Sequence, residues 1–406
     1  MKQNNQHKSR RPHRSSPAAK IIVFAVIILL IVIGVAAVIN VFNYKPSLPS
    51  VGGDLPFDAN PASPSGDSAA DDAKPTVSTD SSGGYVRTNT DKYNFLVIGC
   101  DRVGLNTDVI MLCSFDTKTD EISVMQIPRD TYIELSGVSH KINAVYASLY
   151  TQAKRDGSDD PERDGMDSFV RVLQTNMNIK IDYWALCSLD GFVNIVDIIG
   201  GVDINVPFDM DYDDPYQDLY IHLKAGEQTL DGAQSEQFIR FRHDYVQGDV
   251  GRVNAQKIFL AALMAQLKKS LNITNIASVA GEFMKNVKTS LSASDIIYFA
   301  KEAIGADLSA LTLLTLPGTD ARANGDSGAW YYIMYRADSL AVINRYFNVY
   351  SSDITDAIFD KNLAFTDEAR SNINNKYRTE ASEDLSSLIT DGQTVMDDSI
   401  DIALVN

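Results

Sequence analysis

Phe95-Leu96-Val97-Ile98-Gly99, closed by Cys100-Asp101, decides the fold. Four large apolar residues in a row leave no polar face, and the run is too short for a helix of useful length. It reads as a strand buried on both sides. Working outward, residues 109–115 (VIMLCSF) and 121–127 (EISVMQI) read as two more strands, the second halted by Pro128. Between them Asp116-Thr117-Lys118-Thr119-Asp120 suits a hairpin with a longer loop. Helices are expected over 143–153 and 164–177, the latter with Met166, Phe169, Val170 and Leu173 at helical spacing. A strand over 183–188, a helix over 191–199 and a strand over 202–206 follow, with Gly200-Gly201 between the last two. Those paired glycines suit either a helix C-cap or a phosphate-binding turn. A long helix is expected over 252–269 and one further strand over 311–316. Strands alternating with helices predict an α/β sandwich around a mixed sheet.

The N-terminus speaks to location. Residues 1–20 hold Lys2, Lys8, Arg10, Arg11, Arg14 and Lys20 and no acid, and residues 21–39 (IIVFAVIILLIVIGVAAVI) carry no polar side chain. With its flank to Phe42 the run is long enough to cross the ~30 Å hydrocarbon layer at about 1.5 Å per residue. The basic flank precedes it, so residues 1–20 are expected in the cytoplasm and everything after the span outside. Residues 43–91, rich in Pro, Ser, Gly, Asp and Ala, read as a disordered tether, with order beginning near Tyr93. The folded domain is expected to run over 92–350, with residues 351–406 an acidic, partly ordered extension. A net charge of −17, with six cations in the tail, argues against nucleic acid. Cys100, Cys113 and Cys187 sit in apolar runs and are expected as buried thiols, not a disulfide framework.

Charged residues then stand out against this background. In Gln237-Phe238-Ile239-Arg240-Phe241-Arg242-His243-Asp244, a strand reading puts Arg240 and Arg242 on one face and Ile239 and Phe241 on the other. Asp249, Arg252 and Gln256 follow at i, i+3 and i+7, one stripe of a helix. Guanidinium forks match phosphate oxygens, although a surface ion-pair network uses the same residues. Asp101 and Asp108 flank a tight loop, where they either share a hard cation such as magnesium or merely cap turns. Arg129 ends the third strand, and Lys141 precedes a helix. The acidic run 209–214 reads as a lid or loop, since it lacks the glycine and glutamate of a calcium loop. Tyr331, Tyr332, Tyr335 and Phe347 read as core aromatics.

These segments resemble the LytR–CpsA–Psr family. The resemblance rests on Ile98-Gly99-Cys100-Asp101, Thr107-Asp108, Ile127-Pro128-Arg129-Asp130-Thr131, Lys141-Ile142-Asn143, Gly200-Gly201-Val202-Asp203, Leu230-Asp231-Gly232, Arg240-Phe241-Arg242 and Gly248-Asp249-Val250-Gly251-Arg252, in the family's order across residues 93–270. It implies a three-layer α-β-α sandwich with a central mixed sheet, preceded by one transmembrane helix. It also implies a phosphotransferase that moves an anionic glycopolymer (teichoic acid, capsular or related wall polysaccharide) from a polyprenyl pyrophosphate carrier onto peptidoglycan. By resemblance, Asp101 and Asp108 hold Mg²⁺, with Mn²⁺ as the alternative ion. Arg129, Lys141, Arg240, Arg242, Arg252 and Gln256 grip the pyrophosphate, Arg252 and Asp249 form the catalytic pair, and Asp249 acts as base toward the acceptor hydroxyl. Two family arginines are replaced here, by Asn106 and Ala255. Arg240→Ala and Arg242→Ala are each expected to cripple transfer while sparing the fold. Met166, Phe169 and Leu173 are candidate linings of a groove for the polyprenyl tail. A polyprenyl-pyrophosphate hydrolase and a non-catalytic carrier-binding regulator are the competing readings.

Overall fold

Alternate residues of the FLVIG strand are covered from opposite sides, and that builds the domain. The computed structural model describes residues 44–48, 86–101, 105, 107–136, 138–215, 219–241, 249–271, 276–306, 311–322, 329–355 and 389–391. The predicted tail and membrane span, residues 1–42, lie outside them. Among the described residues no helix is long and apolar enough to cross a membrane.

In chain order the elements are β1 (Lys92–Cys100), β2 (Thr107–Asp116), β3 (Glu121–Ile127), β4 (Tyr132–Leu135) and β5 (Val138–Lys141). A 3-10 turn (Ile142–Ala144), α1 (Val145–Arg155), α2 (Pro161–Met177), β6 (Tyr183–Ser188), α3 (Leu189–Ile198) and β7 (Val202–Val206) follow. Next come β8 (Met210–Asp214), β9 (Leu219–Leu223), β10 (Gly226–Leu230), α4 (Gly232–Arg240), α5 (Asp249–Ser270) and α6 (Ile276–Asn286). The last are β11 (Val287–Thr289), α7 (Ala293–Gly305), β12 (Leu311–Thr315), β13 (Gly318–Arg322), β14 (Trp330–Met334), α8 (Arg336–Tyr346) and β15 (Ile389–Asp391). The central sheet has the order β11-β6-β1-β2-β3-β12-β15. It is mixed: β1 runs parallel to β6 and β12 parallel to β3, and the other pairs are antiparallel.

Phe95 and Tyr183 pair in register and stack at 5.6 Å, with Phe299 of α7 edge-on to Phe95 at 5.0 Å. Their neighbours point the other way: the Asn94 amide donates to the Phe347 carbonyl just past α8, and the Trp184 indole donates to Asp167 on α2. Helices therefore cover both faces, which is why β1 needs no polar side. Each large side chain removed from such a core costs about 2–5 kcal/mol.

Several expectations are corrected. Residues 237–240 belong to helix α4 and not to a strand, because Asp231 and Gln234 form a capping box that starts a helix at Gly232. The acidic run 209–214 is no loop: β8 pairs with β9, and His222 sits between Asp211 at 2.6 Å and Asp213 at 3.2 Å. Between residues 270 and 350, β11, β13 and β14 join the one strand expected there, and β15 follows at Ile389–Asp391. Met166, Phe169 and Leu173, the candidate groove linings, are fully buried in the core. Phe347 is buried as expected, but Tyr331, Tyr332 and Tyr335 are only half-buried. Residues 44–48, placed by composition in the tether, pack on the domain. Gly200 and Gly201 take the C-cap role: at φ +89° and +86° they donate to Asp197 and Val196, closing α3. The three cysteines are buried and unbridged, and burial pushes the Cys113 and Cys187 thiols well up.

Candidate active site

The carboxyl ends of β1, β3, β6 and β12 lie along one edge of the sheet, together with the start of the antiparallel β2. Asp101 follows β1 directly and is buried at 5% exposure. Cys100 is opposite Thr107, so Asp101 and Asp108 flank the loop between the two strands. The backbone of Asp108 lies in β2; its side chain is outside the description.

Pro128 ends β3 because it has no N–H for the ladder. The chain then turns: the Thr131 N–H and hydroxyl both donate to the Pro128 carbonyl. This turn holds Arg129 and Asp130 at the edge, and β5 returns to place Lys141 beside them. Lys141 Nζ donates to Asp130 Oδ1 at 2.8 Å, and Arg129 Nε lies 3.6 Å from Oδ2 of the same carboxylate. One acid is thus shared by two cations, leaving the trio with an excess positive charge. All three side chains are partly open, at 21% for Arg129 and 35% for Asp130 and Lys141. Such pairs hold by no more than about 1 kcal/mol, so an incoming oxyanion can compete for the cations.

The 3-10 turn ties this trio to the rest of the edge. The Asn143 N–H donates to the Arg129 carbonyl at 3.2 Å, and the Thr107 hydroxyl donates to the Asn143 carbonyl at 3.0 Å. Asn143, two residues after Lys141, is therefore bonded both to Arg129 and to Thr107, the neighbour of Asp108. The β13–β14 hairpin abuts the same turn through Tyr332 N–H to the Asp130 carbonyl, 2.9 Å. Tyr331 sets its ring edge-on to Tyr132 and 6.0 Å from Lys141 Nζ.

Arg240 is differently placed. It is the last residue of α4, 5% exposed, and its Nη1 donates to Glu236 Oε1 at 2.6 Å. The following residue, Phe241, is extended and buried with its ring against Phe208. Arg240 and Arg242 are therefore not two positions of one strand face. Arg242 lies outside the described residues. Asp249, Arg252 and Gln256 fall on the first turns of α5, where the helical register keeps them on one stripe; their side chains are outside the description. Thus Asp101, Arg129, Lys141 and the Asp108 backbone share one edge, and Arg240 at the end of α4 has Glu236 among its partners.

Sequence reasoning missed Asp130, Glu236 and Tyr331. Glu236 was findable from its i, i+4 spacing to Arg240 once the Asp231-x-x-Gln234 cap was read as a helix start. Asp130 and Tyr331 owe their place to tertiary contacts and carried no such signal.

A mixed sheet with two partly exposed cations at its carboxyl edge is an α/β arrangement chemically able to hold an oxyanion. The chain belongs to the LytR_cpsA_psr family, which matches it over residues 59–347. It is 27% identical over 231 residues to the polyisoprenyl-teichoic acid–peptidoglycan teichoic acid transferase TagV of Bacillus subtilis (strain 168), covering 56% of this chain and 55% of TagV. The chain thus spans about half the length of that relative. It is also 27% identical over 263 residues to the TagU transferase of Bacillus cereus (strain ATCC 14579), covering 64% of this chain and 79% of TagU. The fold resembles the crystal structure of gbs0355 from Streptococcus agalactiae, with a TM-score of 0.51 and 22% identity over 63% of this chain and 86% of that one. These sequence relatives are named as transferases.

Proposed function

We propose that this protein transfers an anionic glycopolymer, such as a teichoic acid or capsular polysaccharide, from a polyprenyl pyrophosphate carrier to a hydroxyl of peptidoglycan. The observation that carries the reading is the trio of Arg129, Lys141 and the shared Asp130 on the same sheet edge as buried Asp101, in a family whose relatives bear the transferase names given above.

Arg129 and Lys141 bind the pyrophosphate oxygens, their weak hold on Asp130 giving way to the phosphoryl charge. Arg252 and Gln256 meet the same group from the first turns of α5. The acceptor hydroxyl attacks phosphorus, a new oxygen–phosphorus bond forms, and the bond to the departing polyprenyl phosphate breaks. Asp249 takes the hydroxyl proton. Cations beside the leaving phosphate lower the cost of the charge it gains. Two carboxylates at adjacent strand ends, one of them buried, are a donor set suited to a hard divalent ion with phosphate oxygens completing its shell. Asp101 and Asp108 would hold Mg²⁺, which supplies further neutralisation of the pyrophosphate when bound. Residues 21–42 anchor the chain in the cell membrane, with residues 1–20 in the cytoplasm and the domain outside.

The test is to incubate the protein with Mg²⁺, a lipid-linked oligosaccharide and peptidoglycan oligomers. Covalent sugar–peptidoglycan product is expected. Release of polyprenyl phosphate without that product would make the protein a hydrolase, and retention of the carrier without turnover would make it a binder.

A further inference from the structure

Residues 44–48 stand immediately after the apolar N-terminal run and are seated on the domain. Tyr44 donates its hydroxyl to Asp295 at 2.7 Å and packs its ring on the core. Lys45 Nζ meets Asp91 at 2.7 Å, Pro46 is buried, and the Tyr183 hydroxyl donates to the Ser47 carbonyl at 3.5 Å. Asp295 lies in the first turn of α7, Asp91 just before β1, and Tyr183 opens β6. All the contacts therefore fall at the amino end of the parallel strands. Asp101, Arg129 and Lys141 lie at the opposite end. Ten residues separate Asp91 from Asp101, and at about 3.3 Å per residue the two ends stand roughly 30 Å apart.

The apolar run and its flank end at Phe42, and the two steps to Tyr44 reach no more than about 7 Å. The far end of the composition-defined tether is also held. Thr88 and Asn89 donate to the Val349 carbonyl, and Arg87 pairs with buried Asp182. The stretch between the two attachment points begins and ends on the domain, so its length does not set the distance from the bilayer.

We propose that residues 44–48 fasten the domain to the lipid surface by the amino end of its sheet, so that the edge bearing Asp101, Arg129 and Lys141 faces away from the membrane. The inference rests on the reading that residues 21–42 span the bilayer, and the partner is the headgroup layer next to that span. An acceptor glycan then approaches the exposed edge from the wall side. The carrier's pyrophosphate must be delivered roughly 30 Å from the point where the chain leaves the lipid, the length of β1.

The test uses the full chain in phosphatidylglycerol–phosphatidylethanolamine vesicles. The native thiols are buried and inert toward maleimide dyes, so single surface cysteines can be labelled. Lys118→Cys marks the amino end, in the turn whose Thr117 donates to Asp91, and Val138→Cys marks the far hairpin. Energy transfer to a headgroup acceptor is expected to be larger from position 118 than from 138. Tyr44→Ala with Lys45→Ala, checked for unchanged thermal unfolding of the domain, should abolish most of that difference. Failure of the protein to co-float with vesicles overturns the anchor and the orientation together. Co-flotation with equal transfer from both labels overturns the orientation alone. A difference that survives the double substitution overturns the role given to residues 44–48.

Discussion

Two arginine–carboxylate pairs in this domain use the same chemistry in opposite surroundings. Arg129 and Asp130 stand partly open on a turn, 3.6 Å apart, with Lys141 competing for the same acid. Arg240 and Glu236 are 2.6 Å apart on one helix, at 5% and 10% side-chain exposure. Water screens the first pair and repays whichever partner is released, so its hold is weak and a ligand can replace it. The second pair has given up most of its hydration, so breaking it leaves a charge in a poorly solvated place. The same residue types thus stand partly hydrated in one place and buried in the other.

The sharpest way to break the comparison is Arg240→Ala. Removing the guanidinium that Glu236 accepts from in this buried place is expected to cost about 3–5 kcal/mol, read by urea denaturation. Arg240→Met with Glu236→Leu should regain much of that loss. Full stability of Arg240→Ala with lost transfer would instead return Arg240 to the ligand site. Arg129→Ala should do the reverse: transfer falls by about 10²–10³-fold if a charge-stabilising donor is lost, and the denaturation midpoint barely moves. Tyr331→Leu tests the aromatic neighbour of Lys141, with an expected loss of about 0.5–1 kcal/mol in oxyanion binding measured by titration with inorganic pyrophosphate.

The smallest effect belongs to an exposed pair. Hydrogen bonds from Lys269 and then Thr229 hold the Asp203 carboxyl below its ordinary 3.8. The folded value is the lower one, so its contribution is present above the unfolded value and lost as pH falls through the folded value. The stability gap between the wild type and Asp203→Asn should shrink below about pH 4 in denaturation curves. A gap that stays constant there would remove the linkage.

Much of the sheet was legible. Residues 121–127 and 183–188 were bounded as strands because an apolar run between turn-formers has few alternatives. Residues 237–244 misled for a physical reason. Alternation of Arg240 and Arg242 with Ile239 and Phe241 mimics a strand, yet the cap at Asp231 had already started a helix that carries Phe238 and Ile239 into the core. The Pro128-Arg129 turn was legible as a strand end. The sharing of Asp130 was not, since it depends on β5 returning Lys141 from eleven residues away. Tyr44 was hidden by a composition typical of tethers, in which one aromatic and one lysine carry no periodic signal.

By itself the sequence determined the buried strands, the caps that begin and end the helices, the apolar run at the N-terminus and the inventory of charged groups. These follow from local sterics and from the spacing of apolar side chains, which a chain carries wherever it goes. Tertiary structure decided which charges stay hydrated and which are sealed: Asp130 between two cations, Glu236 beneath Arg240, Asp295 under Tyr44. Desolvation depends on neighbours distant in the chain, and its cost or benefit appears only once those neighbours have been brought together.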